Sequence, residues 1–145
     1  ERKGTEMIRA ICYYTNQEED EPSSLREQQH QCLEAVHDYG WVIHREVFDP
    51  FMKKVKIAQR SGMRTLLHVA AAHKFDLLVM MDKHFIGTCK EEAAVILMFL
   101  FEKGIGVFIV EDNRLYLPKQ MDLASFVIKS VSELNVDGQQ EESHD

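Results

Sequence analysis

The chain has 145 residues, with 17 Lys+Arg against 24 Asp+Glu and a formal net charge of −7. That length is about one domain, and 45% hydrophobic with 28% charged residues is ordinary for a soluble globular fold. Net acidity argues against a protein that coats nucleic acid nonspecifically, the longest apolar run (residues 93–101) is too short to span a bilayer, and three cysteines (Cys12, Cys32, Cys89) cannot build a disulfide framework. A reducing, cytoplasmic compartment and no membrane contact are therefore expected.

Residues 1–6 are polar and form no part of the expected fold. Residues 7–14 are apolar and aromatic and read as a first strand, followed by an acidic loop over 16–21. Pro22, Ser23 and Ser24 open a helix, with Glu27 placed as in a capping box. Its inward stripe is Leu25, Gln28/Gln29, Cys32, Leu33 and Val36, and Gly40 ends it. Residues 41–48 read as a second strand, 50–56 as a loop, and 57–73 as a second helix with Met63, Leu66, Leu67 and Ala70 on one side. Residues 77–81 form a short apolar strand and 90–102 a strongly apolar helix that Gly104 stops. Residues 105–110 make another strand, and 120–134 a last amphipathic helix with Leu123, Phe126, Val127 and Val131 inward. The final residues, 136–145, hold acids but no Lys or Arg and read as a disordered tail, leaving one domain over 7–135.

Strand–helix alternation of this kind predicts an α/β fold in three layers, a mainly parallel central sheet of 4–5 strands with helices on both faces. The site of such a sheet lies beyond the carboxyl ends of its strands. That places it at 14–20, 49–56, 82–89 and 111–114.

The ordered motifs carry a resemblance. Ser24-Leu25-Arg26-Glu27-Gln28, then Cys32, then Gly40-Trp41-Val42-Ile43, is similar to the S-L-x-x-Q helix and G-W strand of the serine site-specific recombinases, the resolvase/invertase family. Gln59-Arg60-Ser61-Gly62-Met63 with Leu66-Leu67 resembles that family's D-R-P-G-L helix opening. Phe75-Asp76-Leu77-Leu78-Val79 resembles its next strand, and Glu102-Lys103-Gly104-Ile105 its E-K-G-[IV] turn. The set covers residues 8–113 and implies the family's resolvase-like catalytic domain.

The resemblance also implies a chemistry: a serine after the first strand attacks a DNA phosphodiester, giving a 5′-phosphoserine link and a free 3′-OH. The family's Y-x-R-x-S falls on Cys12-Tyr13-Tyr14-Thr15-Asn16, so Tyr14 stands for the arginine and Asn16 for the nucleophile. Its D-R-x-x-R falls on residues 83–87, where His84 and Gly87 replace both arginines. Gln59 replaces the acid before Arg60, and Arg60 alone is retained. An amide nitrogen is not a usable nucleophile, and phosphoryl transfer needs cations around its oxygens. The expectation is a degenerate, inactive recombinase-like domain without cofactor, serving as an interaction or regulatory module. Shifting the alignment by one residue would make Thr15 the nucleophile, in a fragment of a working recombinase. A receiver-like or nucleotide-binding α/β domain, with Glu18, Glu19, Asp20 and Asp82 around Mg²⁺, is a further alternative.

Lys53, Lys54, Lys56, Arg60 and Arg64 form a run of five cations without an acid between Phe51 and Arg64. They are candidates for weak contact with DNA or another anion, against the plainer reading of a solvated face. His84, Cys89 and Asp82 lack the further ligands and spacing of a metal site, so no metal is expected. Active relatives dimerise through a long final helix; residues 120–134 stand at that place and make a homodimer, or a heteromer with a related recombinase, the expected assembly.

Overall fold

A computed structural model of the chain describes residues 7–16, 22–50, 52, 55–56, 59–82 and 90–118, with backbone alone at 22–24 and 90. The expected N-terminal segment, the acids Glu18, Glu19 and Asp20, the helix at 120–134 and the acidic tail lie outside the described residues. The described elements run β1 (Arg9–Thr15), α1 (Pro22–Tyr39), β2 (Val42–Asp49), α2 (Ser61–Ala71), β3 (Leu77–Met80), α3 (Lys90–Glu102), β4 (Gly106–Ile109) and β5 (Arg114–Tyr116). They build a five-stranded sheet of order β2-β1-β3-β4-β5. β1 to β4 are parallel, and β5 returns antiparallel to β4.

Side-chain alternation along β1 sorts the core into two layers. Ile11 and Tyr13 point into a layer with Met63, Leu66 and Ala70 of α2 and Ile96, Leu97 and Leu100 of α3. Ala10, Cys12 and Tyr14 point the other way, onto Cys32 and Val36 of α1. The three-layer arrangement expected from alternation is thus present, with α1 on one face and α2 and α3 on the other. Helix α3 leaves Val95 and Met98 exposed.

Both helix stops expected from glycine are built alike. Gly40 and Gly104 take φ of 76°, a left-handed conformation that costs glycine little. The following N–H reaches back five residues, Trp41 N to Val36 O at 2.9 Å and Ile105 N to Leu100 O at 2.9 Å. These are Schellman closures, which satisfy carbonyls at the end of each helix.

Two expectations about elements are corrected. Helix α2 begins at Ser61, not residue 57: Arg60 has extended backbone (φ −78°, ψ 126°) and is the N-cap. Of the site segment expected at 111–114 beyond a strand end, Arg114 instead opens β5 and pairs with Ile109. The reversal uses Asn113 at φ 53°, a conformation Asn tolerates better than most residues.

The S-L-x-x-Q glutamine has a clear structural task. Gln28 is buried, and its carboxamide clamps the end of β1. It accepts from Thr15 N at 3.1 Å and donates to Thr15 O at 2.7 Å. Both backbone groups at the last residue of the strand are thereby satisfied by one side chain, which fixes α1 to the site end of the sheet.

Candidate active site

The carboxyl ends of β1 and β2 meet the start of α2. Arg60 offers no side-chain cap to that helix, so its first N–H groups need an acceptor from elsewhere. Asp49, the last residue of β2, supplies it. Oδ1 accepts from Gly62 N at 2.7 Å and Oδ2 from Met63 N at 2.8 Å. A carboxylate there also lies favourably in the helix dipole. The close approach requires glycine: a Cβ at position 62 would sit 2.6 Å from Asp49 Oδ1.

Tyr13 joins the same carboxylate from β1, donating its hydroxyl proton to Asp49 Oδ2 at 2.8 Å. Arg60 Nη1 donates to the Tyr13 hydroxyl at 3.4 Å, and Arg60 Nε to Val55 O at 3.3 Å. Tyr13 is 0%, Asp49 1% and Arg60 1% exposed. Arg60 is therefore enclosed with a tyrosine and an acid, Tyr13 and Asp49, neither of which is among the site residues expected from the sequence. A signal for the acid did exist: a helix with Arg at its N-cap and Gly at its second position lacks a local acceptor, so a distant one is needed.

The residues at the family's first motif are distributed around this junction. Tyr14 leaves the sheet on the opposite side from Tyr13. It donates to Glu46 Oε1 at 3.0 Å, an oxygen that also accepts from Gln29 Nε2 at 2.7 Å. Its ring contacts Phe48 at 4.8 Å between centroids. Tyr14 and Arg60 thus belong to different layers. Thr15 is buried and donates Oγ1 to Asp49 O at 2.7 Å. Asn16 is 3% exposed, and its carbonyl accepts from Met52 N at 2.8 Å. Gln59 is exposed in the turn before α2. Lys53, Lys54, His84, Gly87 and Cys89 lie outside the described residues. Of the cationic run, Lys56 and Arg64 are exposed while Arg60 is buried, so these three do not share one solvent face. No group of three His, Cys, Asp or Glu side chains suited to a metal ion occurs among the described residues.

Burial, chiefly, pushes the Tyr13 and Tyr14 hydroxyls well above their ordinary value of 10.0. A hydrogen bond with Cys12, followed by burial, raises the Cys32 thiol above 9.0. A raised folded-state value contributes stability that is complete below the unfolded value and is lost as pH rises past it. The urea midpoint is therefore expected to hold up to about pH 8.5 and to fall steadily above about pH 9–10. Tyr13→Phe with Tyr14→Phe should flatten that fall. A midpoint unchanged to pH 11 would show that these groups do not ionise on unfolding as argued.

Chemically, the strand end offers little to attack a phosphodiester. The Tyr13 proton is held by a buried carboxylate, the Thr15 proton is given to a main-chain carbonyl, and Asn16 carries no nucleophilic atom.

Known structures share this architecture, that of the serine recombinase catalytic domain. The N-terminal catalytic domain of TP901-1 integrase matches with a TM-score of 0.70 and 13% identity, over 92% of this chain and 98% of that one. A resolvase family site-specific recombinase from Streptococcus pneumoniae matches with a TM-score of 0.70 and 13% identity, over 94% and 93%. The C-terminal catalytic domain of ISC1926 TnpA, an IS607-like serine recombinase, matches with a TM-score of 0.64 and 18% identity, over 71% and 70%. No family model matches the chain, and no curated protein matches its sequence. The chain therefore has the serine recombinase catalytic fold, and at these identities the likeness concerns the fold. No described helix is long and apolar enough to cross a membrane.

Proposed function

We propose that the chain is a catalytically silent domain of serine recombinase fold, acting through contacts with a second copy or a related recombinase in the cytoplasm. One observation carries this reading. At the end of β1, the position of the family nucleophile holds Asn16, and the adjacent hydroxyl of Thr15 is committed to Asp49 O at 2.7 Å. The shifted alignment that would make Thr15 the nucleophile thus requires breaking a buried hydrogen bond and abandoning 0% exposure. Tyr14, at the family arginine position, is tied to Glu46. Loss of one cationic or hydrogen-bonding donor at a transition state costs on the order of 10²–10³ in rate, and here the nucleophile is missing as well.

The test is a search for covalent protein–DNA adducts. The full chain is incubated with supercoiled plasmid and with sheared genomic DNA of its source, quenched in denaturant and analysed by mass spectrometry. No phosphoseryl or phosphothreonyl adduct and no plasmid relaxation are expected. Asn16→Ser alone should also stay silent, since the hydroxyl it restores has no arginine at 14. A DNA adduct on Thr15, or on any hydroxyl of the unaltered chain, would overturn the reading in favour of a working recombinase fragment.

A further inference from the structure

Two thiols meet inside the layer between the sheet and α1. Cys12 lies on β1 and Cys32 on α1; both are free, 0% exposed, and part of one buried cluster with Ala10, Tyr14 and Val36. The register of the layer brings them together. Gln28 and Gln29 pin the helix, the first to Thr15 at the end of β1, the second to Glu46 of β2, which is level with Cys12. Cys32 follows one turn later on the same helix face, at i+4 and i+3 from these two. Helix α1 runs back along β1, as a crossover between two parallel strands must, so that turn lands beside Cys12. The two side chains are hydrogen-bonded to each other.

A hydrogen-bonded path leads out from the pair. Tyr14 is level with Phe48, yet it leans back along β2 to donate to Glu46 Oε1 at 3.0 Å, beside Cys12. Its hydroxyl is hydrogen-bonded with Cys12 as well. The chain Cys32–Cys12–Tyr14–Glu46 therefore ends on a half-buried carboxylate. A single buried cysteine packs as a small apolar side chain. Two thiols in contact, with a route by which a proton can leave, are set up for more than packing.

We infer that Cys12 and Cys32 form a reversible disulfide when the chain meets hydrogen peroxide, tying α1 to β1. Cys12 passes its proton through Tyr14 to Glu46, and its sulfur attacks the peroxide. An S–O bond forms, the O–O bond breaks, and the leaving hydroxide takes up that proton as water. The Cys32 sulfur then attacks the sulfenic sulfur of Cys12. The S–S bond forms, the S–O bond breaks, and the second hydroxide leaves as water with the Cys32 proton. The pair loses two electrons and two protons, and the peroxide gains both.

Closing a bond of about 2.05 Å draws α1 slightly onto β1. Helix α1 also carries Gln28, which satisfies both backbone groups of Thr15, so oxidation fixes the strand end beside Asn16 too. Thiols of a reducing compartment return the pair to its free state by exchange. The inference does not depend on catalytic silence, because neither thiol belongs to the Tyr13–Asp49–Arg60 junction.

The test treats the full chain, unaltered and as Cys89→Ser, with hydrogen peroxide well below its melting temperature, then with dithiothreitol. Trypsin leaves the three cysteines on separate peptides, 10–26, 27–45 and 84–90, so mass spectrometry reads the bond directly. Peptides 10–26 and 27–45 are expected to appear joined in both proteins and to separate again on reduction. The oxidised chain should melt roughly 5–10 °C higher than the reduced one. In Cys32→Ala, dimedone should trap a sulfenic acid on Cys12, whereas in Cys12→Ala it should leave Cys32 unlabelled. Glu46→Gln, with its reduced melting temperature unchanged, should slow formation of the bond by roughly 3- to 10-fold. Absence of the joined pair in the folded chain overturns the inference, as does a pair that forms only in denaturing urea. A crosslink through Cys89 alone, or an oxidised chain that melts no higher than the reduced one, overturns it too. An unchanged rate in Glu46→Gln overturns the part given to Tyr14 and Glu46.

Discussion

Asp49→Ala is expected to destabilise the domain by roughly 3–5 kcal/mol, the largest effect of any single side-chain truncation at the site. Three hydrogen bonds end on this carboxylate, buried ones from Tyr13 and Met63 and a part-buried one from Gly62. Removing it leaves two helix N–H groups and a phenol without this acceptor, each costing about 1–3 kcal/mol to the extent that it is buried. It also leaves the guanidinium of Arg60 buried at 1% exposure with the neighbouring negative charge removed. For a domain of this size the loss corresponds to a drop in Tm of roughly 10–15 °C. Asp49→Asn keeps an acceptor oxygen but loses the charge, so it should fall between the two. Thermal melts and urea titrations of the three proteins measure this directly. A change below about 1 kcal/mol for Asp49→Ala would mean that the carboxylate does not hold the junction together.

Gly62→Ala is expected to destabilise by on the order of 2–3 kcal/mol, against the usual sign for such a change. In an unobstructed helix interior, alanine is better than glycine by up to about 1 kcal/mol. Here the added Cβ would lie 2.6 Å from Oδ1, 2.7 Å from Cγ and 2.7 Å from Oδ2 of Asp49. That carboxylate cannot retreat without giving up the bonds to Gly62 N and Met63 N. The penalty is conditional on Asp49. In the Asp49→Ala background the same Gly62→Ala should become neutral or stabilising by up to about 1 kcal/mol. The cycle then shows a coupling of roughly 2–4 kcal/mol between the two positions. Equal effects of Gly62→Ala in both backgrounds would refute the close packing of carboxylate against helix start.

Asp49 and Gly62 are joined by the fold and not by their order in the chain. Asp49 is 13 residues before Gly62, and residues 50–56 read only as a loop between them. Nothing in periodicity connects an acid at a strand end to the first turn of a later helix. A helix over 57–73 puts Gly62 in its second turn, where nothing asks for a glycine. The actual start at Ser61 places Gly62 at the second helical position, where its missing side chain makes room for the carboxylate. Tyr13 and Tyr14 are neighbours in sequence, yet one closes a buried junction with Arg60 and the other is tied to Glu46 on the far side of the sheet.

The amino-acid order alone determined the layered α/β architecture, the bounds of the helix Lys90–Glu102, the glycine stops at 40 and 104, and the absence of a serine after the first strand. These are local properties: side-chain period, φ freedom and residue chemistry act within a few positions. The junction of Tyr13, Asp49 and Arg60 was decided by the tertiary structure, as were the contact of Cys12 with Cys32 and the return strand β5. Each joins backbone or side chains that only the packed sheet brings together. In particular, an uncapped helix takes its acceptor from whichever strand end the fold places beside it.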